Sequence, residues 1–126
     1  VTVGNAFAYD CLQACYTAEG EEWLNQMLTY VKVNIEATEM FLADNCPKIK
    51  PIKTEASFLV FLDNREMPFK TSAELMDFYL NKANVFLNEG SMFGHNGSMF
   101  MRLNAALPRE ELQQALNLIK QAYDKI

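Results

Sequence analysis

At 126 residues the chain has room for one domain with a single modest core, short for most enzymes. Half of its residues are hydrophobic and 21% are charged, the balance of an ordinary globular protein, and a net charge of −5 with scattered lysines and arginines excludes a basic nucleic-acid surface. No apolar run reaches the roughly 20 residues that span a bilayer, and no signal-peptide pattern opens the chain, so the expected compartment is the cytoplasm, with no nucleic-acid or membrane partner.

In chain order, Asn5 to about Ala18 reads as a helix with Phe7, Cys11, Leu12 and Cys15 spaced for one face. Gly20 then interrupts, and Glu21 and Glu22 open a second helix at the end where acidic side chains meet the helix dipole. From Trp23 to about Asn45 the positions Leu24, Met27, Leu28, Val31, Ile35, Thr38 and Leu42 recur at three- and four-residue steps, the pattern of a long amphipathic helix closed by Pro47 and Pro51. Ile49 to Lys53 reads as an edge-like strand. Ser57 to Leu62, SFLVFL, is a short apolar run expected to be a strand covered on both faces. Thr71 with Glu74 has capping-box spacing and starts a helix to about Lys82, with Leu75, Phe78 and Tyr79 inward. Val85 to Leu87 is expected as a brief strand. Met99 to Asn104 is another, in which Met99, Met101 and Leu103 point one way and Phe100, Arg102 and Asn104 the other. Pro108, placed at a first helical position and followed by Glu110 and Glu111, opens a last helix to Ile126.

This order predicts an α+β two-layer sandwich: a small, mostly antiparallel sheet with helices packed on one face, preceded by long N-terminal helices. One domain covers residues 1–126, and residues 1–45 form the helical lead-in. Cys11, Cys15 and Cys46 are an odd count without a ladder of spacings, which reads as small buried thiols rather than a disulfide framework. No metal site is expected, since the single histidine, His95, lies in a distant loop and a tetrahedral site needs four ligands. His95 itself reads as a solvated loop residue, and the paired acids as helix-dipole partners. No nucleophilic triad can be assembled from these residues.

The sharpest chemical signal is the stretch Leu87 to Arg109, LNEGSMFGHNGSMFMRLNAALPR. A loop carrying Gly90, Gly94 and Gly97 leads into an apolar strand with one arginine, Arg102. A guanidinium in such a strand is costly unless an anion pairs with it, and its planar fork suits two parallel hydrogen bonds to a carboxylate. On spacing alone an arginine whose head is in water above an apolar stem is the better reading, and only the surrounding motif reverses it.

The same stretch resembles the end of class I/II pyridoxal-phosphate aminotransferases, whose G-x-x-F-G-x-x-G-x-x-F-x-R-L-N pattern delivers the arginine that holds the substrate α-carboxylate. The likeness extends over nearly the whole chain: NAFAYDCLQACYTAEGEEWLNQMLTYVKVNIEATEMFL is similar to the helices leaving the large domain, and EASFLVFLD to the central strand of the small domain. The ending is especially similar to the cystathionine β-lyase-like subgroup, which cleaves carbon–sulfur bonds in amino acids. The resemblance implies that Arg102 binds the substrate α-carboxylate and that Gly94 and Gly97 lie beside the substrate. It implies pyridoxal phosphate as cofactor, an amino acid as substrate, and a homodimer for the intact enzyme. The segments bearing the Schiff-base lysine, the aspartate facing the pyridine nitrogen, the ring-stacking aromatic and the phosphate-binding serines have no counterpart in these residues. The expectation is therefore a C-terminal small domain of a longer enzyme, with no catalytic or cofactor-binding residue of its own and no activity alone. Two other readings are a ligand-sensing module like the aminotransferase-like effector domain of some transcription regulators, and a stand-alone α+β domain with Arg102 on its surface.

Overall fold

The computed structural model describes residues 5–126. Its first helix, α1 (Ala6–Cys15), follows Asn5 and ends at Tyr16. The second, α2 (Ala18–Asn45), starts earlier than the apolar periodicity implies, because Thr17 caps it: the Thr17 hydroxyl accepts a hydrogen bond from Gly20 N–H at 3.1 Å. Gly20 is therefore inside the first turn and not a break. It is glycine for a tertiary reason, since a Cβ there would stand 2.4 Å from the Cys15 carbonyl oxygen where α1 ends against α2.

Two strands follow α2, β1 (Lys50–Pro51) and β2 (Leu59–Asp63), paired antiparallel. Helix α3 (Ser72–Asp77) begins at Thr71, whose hydroxyl accepts from Glu74 N–H, and runs on into a single π turn at Phe78–Lys82. The reciprocal half of the capping box is shifted by one residue: the Glu74 carboxylate accepts from Lys70 N–H at 2.7 Å. Strand β3 (Asn88–Glu89) begins three residues later than the expected Val85 to Leu87. The π turn accounts for the offset. It closes with Ala83 N–H bonded to the Phe78 carbonyl, Val85 N–H then bonds the Tyr79 carbonyl, and Leu87 is drawn into the core before pairing begins. Strand β4 (Phe100–Asn104) completes an antiparallel sheet in the order β1-β2-β4-β3. Pro108 stands at the N-cap of α4 (Arg109–Tyr123), one place ahead of its expected position.

The sheet is two-faced. Val60 and Leu62 of β2, with Met101 and Leu103 of β4, are buried against Leu42 of α2, Leu75, Phe78 and Tyr79 of the α3 segment, and Leu112, Leu116 and Ile119 of α4. Each such side chain contributes about 1.5–3 kcal/mol on burial. The expected α+β sandwich with helices on one face is what forms. The strand Ser57 to Leu62 is not covered on both faces, however: Leu59, Phe61 and Asp63 are only half-buried, because no helix of the described residues crosses that side.

Two polar side chains organise the buried layer. Asn34, fully buried on α2, donates from Nδ2 to the carbonyls of Ala105 and Leu107 at 2.9 Å each, and its Oδ1 accepts from Arg109 Nε. It thereby ties the long helix to the β4–α4 connection. Asn64 accepts from the Tyr79 hydroxyl at 2.7 Å and donates to the Leu62 carbonyl.

The cysteines divide. Cys46 is buried, and burial, with Asp124 nearby, pushes its thiol up to about 11. Cys11 and Cys15 are exposed, contrary to the expectation of buried thiols, because α1 buries none of its residues. Phe7, Leu12, Tyr16, Trp23, Leu24 and Leu28 are likewise exposed, Phe7 at 76% and Trp23 at 66%, so α1 and the first half of α2 present an apolar surface outside the core. Among the described residues no helix is long and apolar enough to cross a membrane.

Replacing Asn34 with Ala leaves the buried Ala105 carbonyl and the part-buried Leu107 carbonyl without their donor and should destabilise the domain by about 1–3 kcal/mol. Urea unfolding followed by circular dichroism measures this; a loss below about 0.5 kcal/mol would show that the hub does not hold the helix to the strand.

Candidate carboxylate-binding site

Arg102 is on the middle of β4 and, as the alternation predicts, its side chain is on the face opposite Met101 and Leu103. Register places Phe61 of β2 on one side of it and Asn88 of β3 on the other. The guanidinium lies over the Phe93 ring, its carbon 4.4 Å from the centroid, and Phe93 meets Phe61 edge-on at 5.8 Å. An aromatic face under a cation supplies attraction without neutralising it. Nη2 donates to Asn88 Oδ1 at 2.8 Å, while Nε is buried and has no hydrogen-bond partner among the described residues. The ion pairs of those residues, Lys32–Glu36, Lys50–Glu66, Arg65–Asp63 and Lys120–Asp124, do not include Arg102.

Phe93 comes from the glycine loop, folded as two short 3-10 turns, Gly90–Phe93 and His95–Gly97. Its base is a contact between two backbones. A Cβ on Gly97 would lie 2.0 Å from the Gly90 carbonyl oxygen, and one on Gly90 would lie 2.3 Å from the Gly97 oxygen. Gly94 turns the chain at φ +140, a conformation that other residues rarely adopt. Glu89 starts the first turn by accepting from Ser91 N–H and the Ser91 hydroxyl, and these bonds hold its carboxylate below the usual range. The loop re-enters the sheet through Met99, at φ +66, whose carbonyl accepts from Asn64 N–H at 3.0 Å. Tyr79, Asn64 and Met99 thus connect the core to the start of the strand carrying Arg102.

The structure therefore gathers Arg102, the Gly90–Gly97 loop, Phe61, Phe93 and Asn88. His95 is exposed at the loop tip, Gly94 has open space around its α-carbon, and Gly97 packs on Gly90. Among the described residues no group of three or more His, Cys, Asp or Glu is arranged for a metal. Phe93 and Asn88 had no signal of their own in the sequence. Phe93 matches a motif position without its role being evident, and Asn88 falls just after the segment read as the strand.

No family model matches the chain. It is 39% identical over 118 residues to the cystathionine β-lyase PatB of Bacillus subtilis strain 168, an alignment covering 94% of this chain and 30% of that protein. Among solved structures it superposes with a TM-score of 0.89 on cystalysin of Treponema denticola, which contains pyridoxal 5′-phosphate, at 27% identity over 96% of this chain and 30% of that one. Over nearly its whole length the chain is thus similar to one part of a cystathionine β-lyase and of a pyridoxal-phosphate-containing enzyme. A pyridoxal-phosphate-bound C–S lyase from Staphylococcus hominis, complexed with the inhibitor L-cycloserine, matches with a TM-score of 0.84 at 28% identity over 98% of this chain and 30% of that one. The 126 residues thus span about a third of the relatives they match.

Among the described residues, the pyridoxal phosphate that cystalysin and the Staphylococcus hominis lyase contain finds no cradle in this chain. None of its lysines is buried, whereas a lysine activated for imine chemistry is desolvated. The glycine loop leads into β4 and not into a helix N-terminus that would receive a phosphate. What the Arg102 face offers is a cation that is fixed in orientation, part-buried and free of a carboxylate partner among the described residues.

Proposed function

We propose that this chain is the C-terminal small domain of a pyridoxal-phosphate-dependent aminotransferase or C–S lyase acting on amino acids, and that Arg102 holds the substrate α-carboxylate. The observation that carries the reading is the state of Arg102: half-buried, stacked on Phe93, bonded to the neutral Asn88, and unpaired with any carboxylate among the described residues. A cation supported in that way lacks its anion, and two charge-assisted hydrogen bonds to a carboxylate fit the fork. The resemblance in the Leu87 to Arg109 stretch supports an amino acid as the source of that carboxylate.

On this reading the division of labour is simple. Pyridoxal phosphate supplies electron withdrawal from the substrate when bound, and the remainder of the enzyme holds it. The present domain fixes the far end of the substrate, so that the α-carbon cannot turn away from the cofactor, an ordering effect that raises turnover as well as affinity. Gly94 and Gly97 keep the loop slim beside the substrate. The apolar surface of α1 and the first half of α2, with residues 1–45 as the lead-in, packs on the large domain. The intact protein is a cytoplasmic homodimer.

In the intact enzyme, Arg102→Ala should lower kcat/KM by about 2–4 kcal/mol, and Arg102→Lys should recover only part of it, because a point charge replaces a planar fork. Steady-state kinetics with an amino-acid substrate decide this; an unchanged kcat/KM in Arg102→Ala contradicts the assignment.

The 126-residue chain alone should neither trap pyridoxal phosphate nor release product. A single exposed carboxylate contact is worth about 1 kcal/mol, against about 4 kcal/mol for even millimolar affinity. Visible absorbance before and after borohydride is the check, and a stoichiometric imine band would overturn the expectation.

A further inference from the structure

Asn88 is the one side chain that hydrogen-bonds Arg102 among the described residues, and its chemistry bears on how the site works. Register pairs it directly with Arg102 across β3 and β4, so the two side chains are on the same face. Its amide must present oxygen, since only Oδ1 can accept from Nη2, at 2.8 Å. Nε is closed off, and one hydrogen of Nη2 is taken. The end of the fork formed by Nη1 and Nη2 is what remains for a ligand. An aspartate would have the same shape as Asn88 and would bind the guanidinium more tightly, yet it would supply the anion itself. A neutral acceptor anchors the cation and leaves its charge available.

Resting on the reading of Arg102 as the carboxylate clamp, we propose that Asn88 is its positioning residue: it aims the Nη1–Nη2 end of the guanidinium at the substrate carboxylate, and its neutrality keeps that charge unspent. Phe93 supports the same orientation from below, by stacking and not by bonding. Substrate specificity at this end of the site is then a property of two residues, one charged and one deliberately uncharged.

Asn88→Asp separates this role from a structural one, because a purely structural partner of Arg102 would be improved by aspartate. In the intact enzyme, Asn88→Asp should raise KM for an amino-acid substrate by about 30-fold and Asn88→Ala by about 5-fold, with kcat lowered in the same order because the clamp also orders the substrate. Competitive inhibition by an unreactive amino acid should weaken in parallel. Inhibition by the matching amine, which lacks the carboxylate, should stay within about twofold of the wild type. Equal or tighter carboxylate binding in Asn88→Asp, or equal weakening for the amine, overturns the proposal. Should Asn88→Asp fail to fold, Asn88→Ala decides alone, and a carboxylate affinity unchanged from wild type overturns it. If Arg102→Ala also leaves KM unchanged, the reading of Arg102 falls; if Arg102→Ala raises KM and Asn88→Asp does not, only the role of Asn88 falls.

Discussion

A guanidinium set into a β-strand needs its head group supported, and much of the architecture around Arg102 supplies that support without a carboxylate among the described residues. Water alone would leave the head free to wander, while a carboxylate neighbour would fix it and cancel it. Here the support is aromatic and neutral: the Phe93 ring beneath, the Asn88 carbonyl oxygen beside it, and Phe61 on the adjoining strand. Each partner comes from a different stretch of chain, so the site exists only once the sheet has assembled.

That dependence explains features that would otherwise look incidental. Phe93 reaches the guanidinium because Gly90 and Gly97 approach more closely than any side chain would allow, which folds the loop back over the strand. The strand enters with its alternation in the right phase because Met99 takes a left-handed conformation, secured through Asn64 to the buried Tyr79 hydroxyl. A slip of one residue would turn Arg102 into the core and Met101 out of it. On the far side of the sheet Asn34 ties α2 to the segment leaving β4. The helical layer and the Arg102 face are thus two sides of one assembly.

Much of this was legible in the sequence because it is local or periodic. The alternation over Met99 to Asn104 put Arg102 opposite the core, and the spacing from Val31 to Leu42 gave the buried face of the long helix. What escaped depends on contacts between distant segments. Gly20 looks like a break until the end of α1 is seen to pack against it. The start of β3 is set by a π turn upstream and by its partner strand, not by the β-propensity of Val85 and Leu87. Cys11 and Cys15 sit on an apolar helix whose face is uncovered among the described residues, and sequence periodicity cannot say what covers it. Asn34 occupies a polar letter on an apolar stripe, and only the carbonyls of Ala105 and Leu107 give it a reason.

The central claim is that the fork of Arg102 takes a substrate carboxylate. The most direct measurement is a crystal structure of the intact enzyme with an unreactive amino-acid analogue bound. The account predicts both carboxylate oxygens at about 2.7–2.9 Å from Nη1 and Nη2 of Arg102, with the Nη2–Asn88 bond retained. A carboxylate seated elsewhere, with Arg102 still bonded only to Asn88, would contradict it.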